Sequence, residues 1–509
     1  MGEAEAAIDD GGLILVSHRG PVQFSRADDG ARSAERGGGG LVTALSSLAG
    51  QLGEARWVCA ALTDEDAAVV AEHDGASFDL DEHLDEHLGP EGGDTDDGLR
   101  LRMVTVDDDA HEAFYSIIAN PLLWFVQHEL WDRPDAPDLT RREHDAFEHG
   151  YAVVNRRFAE VVAEEVEEVA AAGGRATVMV HDYHFYLLAA LVRERCPDVF
   201  LHHFVHIPWP QPDAWRVLPP PMREAVFTGL LGNDVVAFHT ERFARNFLLG
   251  CQELLGLDVD LDERTVAVDG RTVAARAYPV SIDPEELGER ATSAEVGEHE
   301  RALWGLRRDY LILRVDRTDP SKNIVRGFRA FDLLLRDHPE LAERVTFLAL
   351  LQPSRQDVEE YADYTQAIRR VVADVNLEHG TADWQPIDLR LEENLDQAVA
   401  AYLVFDVLVV NAIVDGMNLV AKEAVVLNRR EGVLALSETT GAYEELGDFA
   451  VTLYPFDVAQ QAEALYQALT MGADERRERS QGAARWVRDH DVSAWLHAQL
   501  ADIAALRGA

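Results

Sequence analysis

The chain has 509 residues, of which 47% are hydrophobic, and 92 acids against 46 bases give a formal net charge of −46. That length exceeds one simple core and predicts two domains. The negative field argues against nucleic acid and anionic membranes as partners. The acid is spread along the chain, which predicts salt adaptation, with a GC-rich genome contributing. No run reaches membrane-span length and the N-terminal MGEAEAAIDDGG lacks a signal-peptide core, so a cytoplasmic protein is expected. Cys59, Cys196 and Cys251 lie far apart with no CxxC, which indicates neither a zinc ribbon nor a disulfide framework. Only Lys322 and Lys422 are lysine; the other 44 bases are arginine. A lysine kept in so arginine-rich a chain marks a position that needs a compact ammonium.

In chain order, residues 13–17 (LILVS) read as a first strand, followed by His18-Arg19-Gly20-Pro21. Four glycines at 37–40 precede a helical run at 41–48, a Rossmann-like opening without GxGxxG spacing. Residues 57–62 and 101–106 read as strands, and the acidic 63–98 between them as a loop or surface insertion. Residues 111–131, with Tyr115, Trp124 and Trp131, and 145–172 read as helices. Residues 177–195 (TVMVHDYHFYLLAALVRER) are strand, polar turn and helix, and put Asp182 where open α/β sheets hold ligands. A strand at 199–205 runs into His206-Ile207-Pro208-Trp209-Pro210, a further strand–helix unit covers 235–249, and Asp269-Gly270 signals a hairpin. This grammar makes the first half a doubly wound sheet. A polar stretch at 281–300 marks the domain change. The second half repeats the pattern, with strands at 310–315, 345–351, 407–410, 432–436 and 450–453 and a helical C-terminus.

The chemistry concentrates at 408–426, LVVNAIVDGMNLVAKEAVV. A strand, a glycine-bearing loop and a helix start present backbone N–H groups to an anion. Asp415 and Glu423 stand eight residues apart, about two helical turns, so both carboxylates can face one ligand. Carboxylates beside an anion site suit a ligand that also carries hydroxyls, as a sugar nucleotide does. The plainer alternative is a buried crossover with a solvated glutamate. Arg317 and Lys322, five apart on one loop, form a cationic clamp for a diphosphate leaving group. Arg19, Arg355 and the glycines at 37–40 offer a second anion site, which adds a phosphorylated acceptor.

RVDRTDPSKN, VDGMNLVAKE, VHDYH, HIPWP, the arginine after the first strand and the GGL that follows resemble trehalose-6-phosphate synthases over nearly the whole chain. The resemblance implies an α/β GT-B fold, two Rossmann-like doubly wound domains facing a central cleft, with a C-terminal helix crossing back to the N-terminal domain. The expected domains are 1–280 (acceptor, plus about 485–509) and 281–484 (donor). It implies retaining transfer of glucose from GDP-glucose or UDP-glucose to glucose 6-phosphate, with no metal and no cofactor. By motif, Arg317 and Lys322 would bind the donor diphosphate and Asp415 the glucose hydroxyls. Backbone N–H groups of Gly416, Met417, Asn418, Leu419 and Val420 would hold glucose and phosphate. Glu423 would take the ribose, Gly40 would approach the donor phosphate, and His206 would face the donor sugar by its carbonyl or its ring. Asp182, Tyr115 and Trp124 would line the acceptor site, and Arg19 and Arg355 would clamp the acceptor phosphate. Lys422 is expected to support Glu423 rather than touch ligand.

The family's SNR reads Ser17-His18-Arg19 here, its RDGMN reads Val414 to Asn418, and a tryptophan expected near Ala60 is absent. Residues 389–394 (LRLEEN) depart from the uridine-type segment, and Glu392 or Glu393 could accept from guanine. The motifs look like an actinobacterial branch that includes the pseudo-glycosyltransferase making validoxylamine phosphate. Rival readings are glucosylglycerol-phosphate synthase or that pseudo-glycosyltransferase, a metal hydrolase built on His181, Asp182, His184, His202, His203 and His206, and a silent regulatory domain. Homo-oligomerisation is compatible with the sequence.

Overall fold

The computed structural model describes residues 12–26, 32–36, 55–81, 83–84, 99–131, 134–356 and 358–508. Gly40 and its neighbouring glycines lie outside them. The chain divides into two compact units, Met1–Tyr278 with Trp495–Ala509, and Pro279–Ala494.

The first unit is built on strands β1 Leu13–Val16, β4 Ala55–Ala60, β5 Phe78–Asp79, β6 Arg100–Val104, β7 Thr177–His181, β8 Phe200–Phe204, β9 Val235–Phe238, β10 Val259–Asp260, β11 Thr265–Val268 and β12 Arg271–Ala277; β2 Val22–Arg26 and β3 Arg32–Arg36 form a separate antiparallel ribbon. The large sheet runs β10-β11-β12-β9-β8-β7-β1-β4-β6-β5. The pairings from β12 through β6 are parallel, and such strands, covered on both faces, read as continuous apolar runs. From β1 the chain proceeds outward through β4 and β6, then returns to β7 on the other side of β1. The β1/β7 boundary is therefore the topological switch point, and 17–19 and Asp182 follow its two strands. At the β11–β12 turn Asp269 and Gly270 have φ of +49° and +78°, the positive pair a tight two-residue hairpin requires.

The acidic stretch at 63–98 is not all loop. Helix Asp64–Glu72 starts in a capping box in which Thr63 Oγ1 accepts from Asp66 N and the Asp66 carboxylate accepts from Thr63 N. Asp66 also accepts from the amides of Phe24 and Leu62, which ties the helix to β2. Acids in its first turn complement the helix dipole. Residues 113–123, with Pro121 inside, and 147–151 are π-helical insertions in otherwise α-helical segments. Gly150 lets them meet, since a Cβ there would stand 2.6 Å from the Ala113 Cβ.

Helix Val492–Gly508 runs into the first unit from Trp495 on: Tyr278 Oη donates to Asp502 at 2.6 Å, and Arg507 donates to Thr177 Oγ1 at 2.5 Å.

The second unit carries β13 Tyr310–Arg317, β14 Val345–Gln352, β15 Ile387–Leu391, β16 Val407–Val410, β17 Val433–Ser437 and β18 Val451–Leu453. The order is β15-β14-β13-β16-β17-β18, parallel throughout. Its core packs Phe328, Phe331, Phe347 and Leu465 around these strands. The switch point falls between β13 and β16. Thr318 to Lys322 follow one of these strands, which ends in Arg317, and Asn411 to Asn418 follow the other. Among the described residues no helix is long and apolar enough to cross a membrane.

Candidate active site

In the second unit the two switch-point loops are tied together. Ile413 N donates to Ser321 O at 2.8 Å, and Asn323 Nδ2 donates to Asn411 O at 3.0 Å. Asn323, at φ +58°, turns the first loop into helix Ile324–Asp337, whose first amides donate to Tyr364 Oη. The loop tie brings Lys322 Nζ to Asp415 Oδ2 at 2.5 Å. Asn418, at φ +75°, caps helix Leu419–Leu427: its Oδ1 accepts from Ala421 N, and its Nδ2 donates to Asp415 Oδ2 at 3.0 Å. The amides of Leu419 and Val420 in the first turn are the N–H groups a helix leaves for an anion. Thus Asp415 is held by a lysine that stands over that helix start.

Beneath the pair lies a layer that sequence reasoning did not single out. Arg314, fully buried, donates to Asp316 Oδ2 and to Lys322 O, each at 3.0 Å, and to Asn411 Oδ1. Burial above all, with Asp415 and Asp319 adding and Arg314 and Lys322 opposing, pushes the Asp316 carboxyl up to about 6. Gly441 lies against the Asp415 loop: its N–H donates to Asp415 O, and a Cβ there would stand 1.9 Å from Gly416 O. Only glycine fits that approach. Arg314 and Asp316 stand within the RVDRTDPSKN stretch, but Asn411 and Gly441 lie far from their partners in sequence, and no local pattern relates them.

Glu423 is half-buried and accepts from Tyr402 Oη at 3.0 Å. Burial raises its pKa above the ordinary carboxylate range, against the opposing Tyr402 bond. Lys422 points elsewhere: its Nζ is 2.6 Å from Glu445 Oε2 and donates to Val280 O at 2.8 Å, with its side chain 1% exposed. The two lysines therefore differ, Lys322 beside Asp415 and Lys422 in the core. Arg317 ends β13, half-exposed, in register with Gln352. Arg355, at φ +47°, donates to Tyr361 Oη and lies 3.8 Å from Asp319. Glu392 and Glu393 are exposed after β15, and Gln397 Nε2 donates to Glu392 at 3.3 Å.

In the first unit Ser17 Oγ accepts from Trp57 Nε1 at 2.7 Å and donates to Arg19 O at 2.6 Å, leaving the Arg19 side chain exposed. His18 is buried, stacks on Tyr115 and His184 at 5.0 and 4.7 Å, and meets His111 Nε2 at 3.2 Å. Burial, then the neighbouring His111 and Arg19, lowers it to about 3, so it is neutral at neutral pH. Tyr115 is half-exposed beside it. Trp124 is buried, stacked on His128 at 4.0 Å and set edge-on to Tyr183.

Asp182 adopts φ +73° at the end of β7, a strained backbone for a residue with a side chain. Three bonds hold it: Asp182 N donates to Phe204 O, His203 Nε2 donates to Asp182 O, and His206 N donates to Asp182 Oδ1. Of the histidines the metal reading would use, His203 is bonded to a backbone carbonyl and His181 and His206 to each other, whereas both ring nitrogens of buried His202 have no partner among the described residues.

The pattern of glycosyltransferase family 20 matches residues 12–505. The chain is 30% identical over 495 residues to α,α-trehalose-phosphate synthase [UDP-forming] 1 of Aspergillus niger, covering 95% of this chain and 88% of that protein. It is 31% identical over 496 residues to validamine 7-phosphate valienyltransferase of Streptomyces hygroscopicus subsp. jinggangensis, covering 97% and 94%. Among solved structures it resembles an α,α-trehalose-phosphate synthase (UDP-forming) from Burkholderia vietnamiensis, with TM-score 0.79 and 28% identity over 98% of each chain. The Burkholderia xenovorans enzyme in complex with glucose-6-phosphate gives TM-score 0.80 and 26% identity over 97% of this chain and 100% of that one. Two α/β units with largely parallel sheets, and a family pattern spanning nearly all of the sequence, identify the chain as a member of glycosyltransferase family 20.

Proposed function

We propose that this chain is an α,α-trehalose-6-phosphate synthase, transferring glucose with retention from a nucleotide-glucose to glucose 6-phosphate in the cytoplasm. The observation that carries the reading is the Lys322–Asp415–Asn418 arrangement over the start of helix Leu419–Leu427. It sets a cation and free amides for a diphosphate beside a carboxylate for sugar hydroxyls.

In the reaction the bond from glucose C1 to the diphosphate oxygen breaks, and its electron pair leaves with the diphosphate. That oxygen takes the proton of the acceptor's C1 hydroxyl, whose oxygen bonds glucose C1 on the face just vacated. Arg317 and Lys322 stabilise the departing charge, and the amides from Gly416 to Val420 add fixed dipoles without reorganisation. Asp415 orients the glucose hydroxyls, and Glu423 takes the ribose hydroxyls in place of its Tyr402 bond. On the first unit Asp182 binds acceptor hydroxyls with Tyr115 beside it, Trp124 backs that wall from the core, and His206 faces the donor sugar. Arg19 and Arg355 take the acceptor phosphate, Arg355 having donors to spare beyond its Tyr361 bond. No metal is required, because the clamp neutralises the diphosphate.

A second reading changes the acceptor to a cyclitol phosphate, as the relative named a validamine 7-phosphate valienyltransferase suggests. The exposed Glu392 and Glu393 favour guanine as donor base. A matrix of GDP-glucose and UDP-glucose against glucose 6-phosphate, glycerol phosphate and validamine 7-phosphate tests both points. A disaccharide phosphate formed only with glucose 6-phosphate supports the first reading, and a strong preference for UDP-glucose overturns guanine.

A further inference from the structure

We propose that His181 is the positioning residue that fixes the His206 ring in its Nδ1–H tautomer, making His206 a neutral hydrogen-bond donor to the donor sugar. This deepens the function proposed above and rests on it for the identity of the ligand.

His181 ends β7, fully buried, and its Nδ1 lies 3.1 Å from His206 Nε2. Between two imidazoles one nitrogen donates and the other accepts. Two neighbouring histidines show how such choices are resolved where a partner is present; His202, with neither ring nitrogen partnered among the described residues, gives no such sign. His203 Nε2 faces the carbonyl of Asp182, and His239 Nε2 the carbonyl of His206; a carbonyl only accepts, so both carry their proton on Nε2. The Nδ1 of His203, buried with no partner, is then a bare lone pair rather than an orphaned N–H. The Nε2 of His181 is likewise buried with no partner. A proton on Nε2 would leave a buried donor unpaired and the Nδ1–Nε2 contact to His206 in need of another proton, whereas a proton on Nδ1 leaves only a bare lone pair buried. His181 therefore keeps its proton on Nδ1 and donates it to His206 Nε2.

His206 must then hold its own proton on Nδ1, which has no hydrogen-bond partner among the described residues. Its ring is fixed by Phe204 at 4.4 Å, His239 at 5.2 Å and Trp495 at 6.5 Å. Its carbonyl already accepts from His239, and its N–H is given to Asp182, so the ring offers the remaining donor. Burial first, and neighbouring imidazoles second, hold both rings well below the ordinary imidazole range, so neither is an imidazolium at neutral pH.

Two measurements test the assignment. In protein labelled with 15N-histidine, the His206 ring signals, identified by their loss in His206→Asn, should show a protonated Nδ1 and a bare Nε2. The reverse pattern overturns the proposal, and this readout needs neither a variant of His181 nor turnover. In His181→Leu, kcat should fall about 10- to 100-fold, the range seen when the orienting partner of a metal-bound histidine is lost, with both KM values nearly unchanged. His181→Asn, whose amide N–H can stand where Nδ1 stands, should recover most of the loss. Equal kcat in His181→Leu and the parent, or no recovery in a natively folded His181→Asn, overturns the proposal. A chain that transfers no glucose yet shows Nδ1–H on His206 would refute the assigned activity and leave the tautomer standing.

Discussion

Replacing Lys422 by methionine keeps the stem and removes the ammonium. In the structure that ammonium is the charged partner of Glu445, and it also donates to Val280 O. The Glu445 carboxylate is itself only 9% exposed, and without Lys422 it retains the Trp486 indole N–H at 3.3 Å. Breaking one side of a buried ion pair costs about 3–5 kcal/mol, because the remaining charge stays desolvated. For a unit of this size each kcal/mol lowers the melting temperature by about 2–4 °C, so Lys422→Met should lower it by about 6–20 °C. The double variant Lys422→Met/Glu445→Gln, which removes the stranded charge, should regain most of that loss. Thermal melting followed by circular dichroism, with donor and acceptor KM on the folded enzyme, gives both numbers. A Lys422→Met protein that melts with the parent but no longer turns over would rule out a structural role for the ammonium and place Lys422 on the ligand.

Three other outcomes follow from the same geometry. His18 and His202 are lowered to about 3 and His203 to about 4, while the unfolded value is 6.5, so the unfolded chain binds more protons between those limits. Their stabilisation is complete above pH 6.5 and is lost as pH falls toward 4, at about 1.4 kcal/mol per pH unit for each proton; in pH-dependent melts His202→Leu should unfold at lower pH than the parent, and an unchanged acid midpoint would count against the array. Gly441→Ala should raise the donor KM more than the acceptor KM, because its Cβ displaces Gly416; steady-state kinetics with equal rises in both would contradict this. With a net charge of −46, the melting temperature should climb as salt shortens the screening length from about 10 Å at 0.1 M to about 3 Å at 1 M; a melting temperature flat in sodium chloride would show that self-repulsion does not limit stability.

What the sequence reveals is what parallel sheets make local. Runs such as LILV and VLVV are buried on both faces, so they announce strands, and the loops that follow them announce the candidate site. Asp415, Lys322 and Glu423 are legible because each stands on such a loop or on the helix after it. The helix at Asp64–Glu72 is hidden by its acidity: Thr63 and Asp66 form the capping box, but its apolar face is short. The supports are invisible for another reason. Glu445 for Lys422, Tyr402 for Glu423 and Gly441 for the Asp415 loop lie 20 or more residues from the groups they serve. Tertiary contact alone relates them. The same holds for His181, whose place in VHDYH draws attention to Asp182 although its ring turns to His206.

Retaining transfer to the C1 hydroxyl of glucose 6-phosphate is the reaction most directly open to measurement. The direct measurement is the anomeric configuration of the purified product, read by NMR after reaction of the nucleotide-glucose with glucose 6-phosphate. The predicted product is a non-reducing disaccharide monophosphate joined C1 to C1 with both centres α. A β centre at the transferred glucose, or a reducing product joined through another hydroxyl, would contradict it.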